Sequence, residues 1–256
     1  MIKHKLLKYI AIFSFLVVFF LSVWLLFYFS FVKQVNTLGL SFMNTKNIIM
    51  NLIGPNGNYM HRNQINGLYV ILYILLINII VQESRSYLML RYGSRNKYLF
   101  IILIKTTIFT FAFAAVIEGV NYVLSIVLFE SELTGNQEMT IFSIIDLFTL
   151  FFYYQRIGVI FLNLMIIKNK RISLIITFSL LIFEFILPQF IPMFESIWLP
   201  NKDSIVFPYL ISGIITIEKA MFMCLREVIL MVPLTTLMFA SIRQKDLIDP
   251  KEGKNK

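Results

Sequence analysis

Seven ionisable side chains lie inside runs that are otherwise apolar: Lys105, Glu118, Asp146, Arg156, Glu184, Arg226 and Glu227. Burying a charge in such a run is costly, so each one pairs with an opposite charge or faces a polar path. Depth along a helix separates them, at about 1.5 Å per residue. Arg156 and Glu184 both fall roughly 17 Å from the same end of their runs, near the middle. That match predicts a pair, in which each charge lowers the other's cost of burial. Glu118 falls near the opposite face, and Arg226 and Glu227 lie in that half. Two chemistries stay open for Arg156, Glu184, Glu118, Arg226 and Glu227: ion pairs that pin helices together, or the polar lining of a translocation path. The stretch "YYQR", Tyr153 to Arg156, adds a polar patch to the fourth run. A proton relay there needs a chain of acids, and only one acid lies near that depth.

Other chemistry finds little support. "GPNGNYMHR", Gly54 to Arg62, begins like a phosphate-binding loop, but no Lys-Ser/Thr follows to hold phosphate and magnesium. A turn-rich loop is the expected reading. His4 and His61 are the only histidines, far apart in the chain, and Cys224 is the single cysteine. Neither a metal site nor an intramolecular disulfide is expected from them. No nucleophile stands at a recognisable spacing from a base, so the chain is not expected to be an enzyme.

The elements that must position the charges are apolar on every side. The chain of 256 residues is 58% hydrophobic and 14% charged, with 26 Phe. A soluble domain is about 45–50% apolar and about 25% charged. The class expected is an all-α polytopic membrane protein, since a span needs about 20 apolar residues, and the alternation of a membrane β-barrel is absent. Six spans are predicted, at 9–32, 65–81, 98–129, 143–167, 172–195 and 220–242. The first run is too long for a signal-peptide core of about 7–15 residues, so it is expected to stay as a span. The third run is long enough for one tilted helix with an extension beyond the membrane.

Fifteen Lys and Arg fall in one alternate set of connections and five in the other. By the positive-inside rule both termini are then cytoplasmic. The net charge of +9 follows from this topology, and no nucleic-acid partner is implied. The region 196–219 holds "IVFPYLISGIITI", too short to span and interrupted by Pro208 and Gly213. It is expected to be re-entrant or interfacial on the outer side, where protein must cover its backbone.

The remaining charged segment is "ESRSYLMLRYGSRNK", Glu83 to Lys97, on the cytoplasmic side by the same rule. A short helix over 84–91, ended by Gly93, would bring Tyr87, Leu88, Leu90 and Arg91 together. An apolar ridge flanked by Arg suits a groove on a partner. An ordinary basic loop explains the charge equally well.

The stretch "IIVQESRSYLMLRYGSRNKYLFIILIK" resembles the membrane subunits of the ABC-2 type family of ATP-binding cassette transporters. In that family the second span ends at an acid, a short helix leads to a small residue and Arg, and a Lys lies near the start of the third span. Glu83, Leu88 to Leu90, Ser94–Arg95 and Lys105 match these positions, while Gly93 stands where Pro is frequent. The order of spans along the whole chain is also similar, including broken apolar pieces before the last one. The resemblance implies a single permease domain over 1–256, with 83–97 as a cytoplasmic coupling elbow carried by Glu83, Tyr87, Leu88, Leu90, Arg91, Ser94 and Arg95. It implies a separate cytosolic ATPase subunit that holds ATP and magnesium, with no cofactor in this chain. It implies pairing with a second copy or a related permease, and a multi-pass place in the lipid of a bacterial plasma membrane. The small peptide- or bacteriocin-associated branch is the most similar, which implies export of, or immunity to, antimicrobial peptides. The alternatives are a stand-alone membrane immunity or sensor protein and an ion-coupled secondary transporter. The latter is often built from repeated halves, and no internal repeat is visible here.

Overall fold

The computed structural model describes residues 2–37, 59–61, 63–82, 94–128, 137–190, 200–204 and 206–244. Six long helices and one short one make up this part. They are α1 (Ile2–Thr37), α2 (Tyr69–Gln82), α3 (Arg95–Leu128), α4 (Gln137–Ile167), α5 (Lys170–Phe190), α6 (Phe207–Ile211) and α7 (Ile217–Gln244). A π-helical turn, Gln64–Leu68, leads into α2, and a 3-10 turn, Pro200–Ser204, precedes α6. There is no strand among the described residues.

Among the described residues, five stretches are long and apolar enough to cross a membrane: Leu7–Ser30, Gln64–Val81, Asn96–Leu128, Gln137–Ile167 and Ile217–Ile242. The fifth expected span, 172–195, falls on α5, which is not among them. It has 21 residues but carries Lys170 and Arg171 in its first turn and Glu184 further on. The third apolar run forms one unbroken helix of 34 residues, about 51 Å long. That exceeds the roughly 30 Å of a hydrocarbon core.

α4 is the hub. It packs against α2, α3, α5, α6, α7 and the 3-10 turn. From Tyr153 to Val159 its residues are buried on every side, so polar groups there meet protein rather than lipid. α1 contributes one narrow stripe, Leu16, Phe20 and Trp24, spaced by four residues, and leaves Phe13, Val18, Leu26 and Phe29 exposed. Such exposed apolar faces suit contact with lipid chains.

Apolar area gives helices little reason to associate once they are in lipid, so close packing and internal hydrogen bonds must hold them. Both are present. Phe20, Tyr69, Tyr73, Phe113 and Tyr154 interlock in edge-on and tilted pairs 4.9–5.5 Å apart. The hydroxyls within this cluster are used. Tyr73 shares a 2.7 Å bond with Thr110, Tyr69 donates to the Tyr59 carbonyl, and Tyr154 donates to the Ile65 carbonyl. Gly158 lets α4 come close at this level. A Cβ there would lie 2.5 Å from the Tyr73 hydroxyl, 3.1 Å from Ile77 and 3.2 Å from Thr106.

The segment before the last helix folds back onto α4. Pro208 sits in the first turn of α6, where a missing N–H costs nothing, so it opens the helix rather than interrupting the segment. Gly213, at φ +70°, ends it, and its N–H bonds the Leu210 carbonyl. Val206 and Leu210 pack with Ile215, Ala220 and Met223 in a small apolar cluster of their own.

Candidate functional site

Two polar clusters sit on α4. In the first, Arg156 is held from two other helices. Its Nε donates to Glu227 Oε2 of α7 at 2.8 Å, and its Nη1 donates to Glu184 Oε1 of α5 at 3.2 Å. The Tyr153 ring lies under the guanidinium at 5.4 Å. Arg156 is 3% exposed and Glu227 is fully buried, whereas Glu184 keeps 24% of its side-chain surface open. The fork of the guanidinium suits this arrangement, because it presents donors in more than one direction. The next residue of α7, Arg226, turns to the 3-10 turn and bonds Asp203 Oδ1 at 2.5 Å. Asp203 is itself buried. Together these bonds tie α4, α5, α7 and the 3-10 turn at one level.

The second cluster joins α3, α4, α1 and α6. Glu118 of α3 and Asp146 of α4 face each other, and both are buried. Asn121 Nδ2 donates to Glu118 Oε2 at 3.4 Å, and Trp24 Nε1 of α1 donates to Asn121 Oδ1 at 3.3 Å. Asp146 Oδ1 accepts the backbone N–H of Phe207, which seats α6 on α4. Further along α4, Gln155 Nε2 donates to Thr107, and Asn163 Nδ2 donates to the Leu234 carbonyl beside Pro233 of α7.

The structure therefore brings Arg156 to Glu184, the partner matched by depth, and adds Glu227, which depth alone did not pair with it. Arg226 and Glu227 are adjacent in sequence but serve different partners. Glu118 belongs with Asp146 in the other cluster. Lys105 is half-buried on α3. Of the expected coupling residues, Glu83, Tyr87, Leu88, Leu90 and Arg91 lie outside the described residues, as does the expected helix over 84–91. Ser94 caps α3, its hydroxyl accepting the Lys97 N–H at 3.3 Å. Arg95 begins that helix. Tyr59, Met60 and His61 are the described part of the turn-rich segment 54–62. Tyr59 and Met60 are buried, and the Tyr59 hydroxyl donates to the Ile117 carbonyl.

Asp203, Asn121 and Trp24 are functional candidates that no sequence pattern had marked. Asp203 lies between spans, and the other two look like ordinary interior residues of apolar runs. Among the described residues, no group of three His, Cys, Asp or Glu could hold a metal ion.

No family model, no curated protein and no solved structure matches this chain. Its helices and buried charges must speak for what it does.

Proposed function

We propose that the chain is the membrane subunit of an ATP-driven exporter. It would move an amphipathic substrate, such as an antimicrobial peptide, out of the cell or away from the membrane. A separate cytosolic ATPase would supply the energy, and a second copy or a related permease would complete the pathway. Six spans with both termini in the cytoplasm fit this reading, with α5 as the fifth. The observation that carries it is the broken segment ahead of the last long helix. The 3-10 turn and α6 pack against α4, and the Phe207 N–H of α6 is bonded to Asp146 of α4, the arrangement expected of a short re-entrant piece covered by protein. The charges around Arg156 support the same reading, since they can tie α4, α5 and α7 into a unit that moves together when an ATPase closes.

The test is co-expression with the ATPase that this reading places in the neighbouring gene. The two should co-purify, and Leu88→Ala with Arg95→Ala should weaken the complex roughly thirtyfold, as loss of a central anchor of about 2 kcal/mol would. Undiminished co-purification of the double variant removes the coupling role from 83–97.

An ion-coupled transporter is the second reading. The facing acids Glu118 and Asp146 favour it, because buried carboxyl groups in a membrane commonly carry ions or protons.

A further inference from the structure

We propose that Glu118, Asp146 and Ser143 form a binding site for one small monovalent cation, a proton or a sodium ion, between α3 and α4. The proposal holds whether or not the chain works with an ATPase.

Glu118 is 3% exposed, Asp146 is fully buried, and the two carboxyl groups face each other. Two like charges in so poor a solvent repel strongly, and neither can shed its charge into water. Among the described residues, no Lys or Arg pairs with either one. Of the charged groups on α7 and the 3-10 turn, Arg226 is taken by Asp203 and Glu227 by Arg156. The other titratable groups that face the site are phenols, and their protons are already given away. Tyr59 donates to the Ile117 carbonyl and Tyr154 to the Ile65 carbonyl.

A second observation points to a ligand. Three buried oxygens at this place, Glu118 Oε1, Asp146 Oδ2 and Ser143 Oγ, make no well-formed hydrogen bond, although the Ser143 hydroxyl and the Asp146 carboxyl both lie next to the Glu118 carboxyl. Ser143 is 7% exposed and stands one helical turn before Asp146, beside Glu118. Buried acceptors are rarely left empty. The remaining carboxylate oxygens are occupied, Glu118 Oε2 by Asn121 and Asp146 Oδ1 by Phe207. The Ser143 hydroxyl can donate only one proton, so the two carboxyl groups still leave more acceptors here than donors. One bound positive charge supplies what is missing, either as a proton shared by the two carboxyls or as Na+ held by the free oxygens. A calcium ion, which takes about six to eight oxygens, is poorly served by three.

The hydrogen-bond chain from Glu118 through Asn121 to Trp24 provides a reporter. The test uses the full chain with Trp198→Phe, purified in detergent, so that emission comes from Trp24. Sodium chloride is titrated against choline chloride at constant ionic strength, and pH is varied across the neutral range. A saturable response to Na+ that weakens about tenfold per unit of acidification identifies a sodium site with which protons compete. A response to pH alone, equal in sodium and choline, identifies a shared proton. In either case Glu118→Gln and Asp146→Asn should each abolish the response. Emission that is flat to both, or a response that survives both substitutions, overturns the proposal. A second measurement needs no carboxyl variant. The same chain is treated with a hydrophobic carbodiimide, and labelling of Glu118 or Asp146 is followed by mass spectrometry. Labelling should be suppressed by Na+ or by alkaline pH. Absent labelling, or labelling indifferent to both conditions, contradicts the site.

Discussion

Arg156 of α4 donates through Nε to Glu227 of α7 at 2.8 Å, and both side chains are almost entirely shielded. A pair at this depth fixes how two long helices lie against each other. Removing one member leaves the other charged and unpaired in a medium that cannot solvate it. Arg156→Met should therefore cost about 3–5 kcal/mol of stability, the usual penalty for an orphaned buried charge. The check is the fraction of protein that survives a heating step in detergent and still elutes as a single species. Adding Glu227→Gln should recover part of the loss, and simple addition of the two losses would show that the residues act independently.

The two acids around Arg156 should not be equivalent. Glu184 is 24% exposed and lies at 3.2 Å, whereas Glu227 is fully buried and closer. Glu184→Gln is expected to lower the midpoint of thermal inactivation less than Glu227→Gln does. Equal shifts would place the weight of the cluster elsewhere.

Gly158 should resist even the smallest side chain. A methyl group there meets the Tyr73 hydroxyl and presses on Ile77 and Thr106. Tyr73 is buried and bonded to Thr110, so it has little room to give way. Gly158→Ala is expected to cost about 1–3 kcal/mol, the range for overpacking a tight interior. Gly119, with open space around it, serves as the control: Gly119→Ala should leave thermal stability near that of the unmodified chain.

Topology can be tested without reference to any of these sites. In a Cys224→Ser background, a cysteine placed at position 255 should react with an impermeant reagent only after the cytoplasmic side is opened. A cysteine at position 136 should react from outside. Position 136 reacting only from the cytoplasmic side would invert the expected arrangement of every span.

The apolar runs made most helices legible, because a span of about 20 residues must satisfy its backbone within itself and so has little choice of structure. Depth also carried real information. Counting residues from the run ends matched Arg156 with Glu184, since rise per residue is nearly constant. The same count placed Glu227 in the outer half of its run, away from the level of Arg156, and the 2.8 Å contact corrects that: depth from run ends ignores helix tilt and the face a side chain occupies. The Glu118–Asp146 contact was hidden for the same reason. Each residue sits in a different long helix, and only packing brings them together. Tyr59 shows a different limit. Its surroundings are full of Gly and Asn, so its local sequence reads as a surface turn, yet its ring is buried against Phe20 and Tyr69. Pro208 looked like a breaker because it stands in the middle of an apolar piece. Its position in the first turn of α6 reverses that meaning.

The most direct measurement of the proposed function is peptide uptake by inside-out membrane vesicles that contain this chain and its ATPase subunit. A labelled cationic amphipathic peptide should accumulate when ATP is supplied. It should stay outside without ATP, without the ATPase, or with Leu88→Ala and Arg95→Ala combined. Uptake driven by an imposed sodium or proton gradient in vesicles lacking the ATPase, or no uptake when both subunits and ATP are present, would contradict the reading of this chain as an ATP-driven permease.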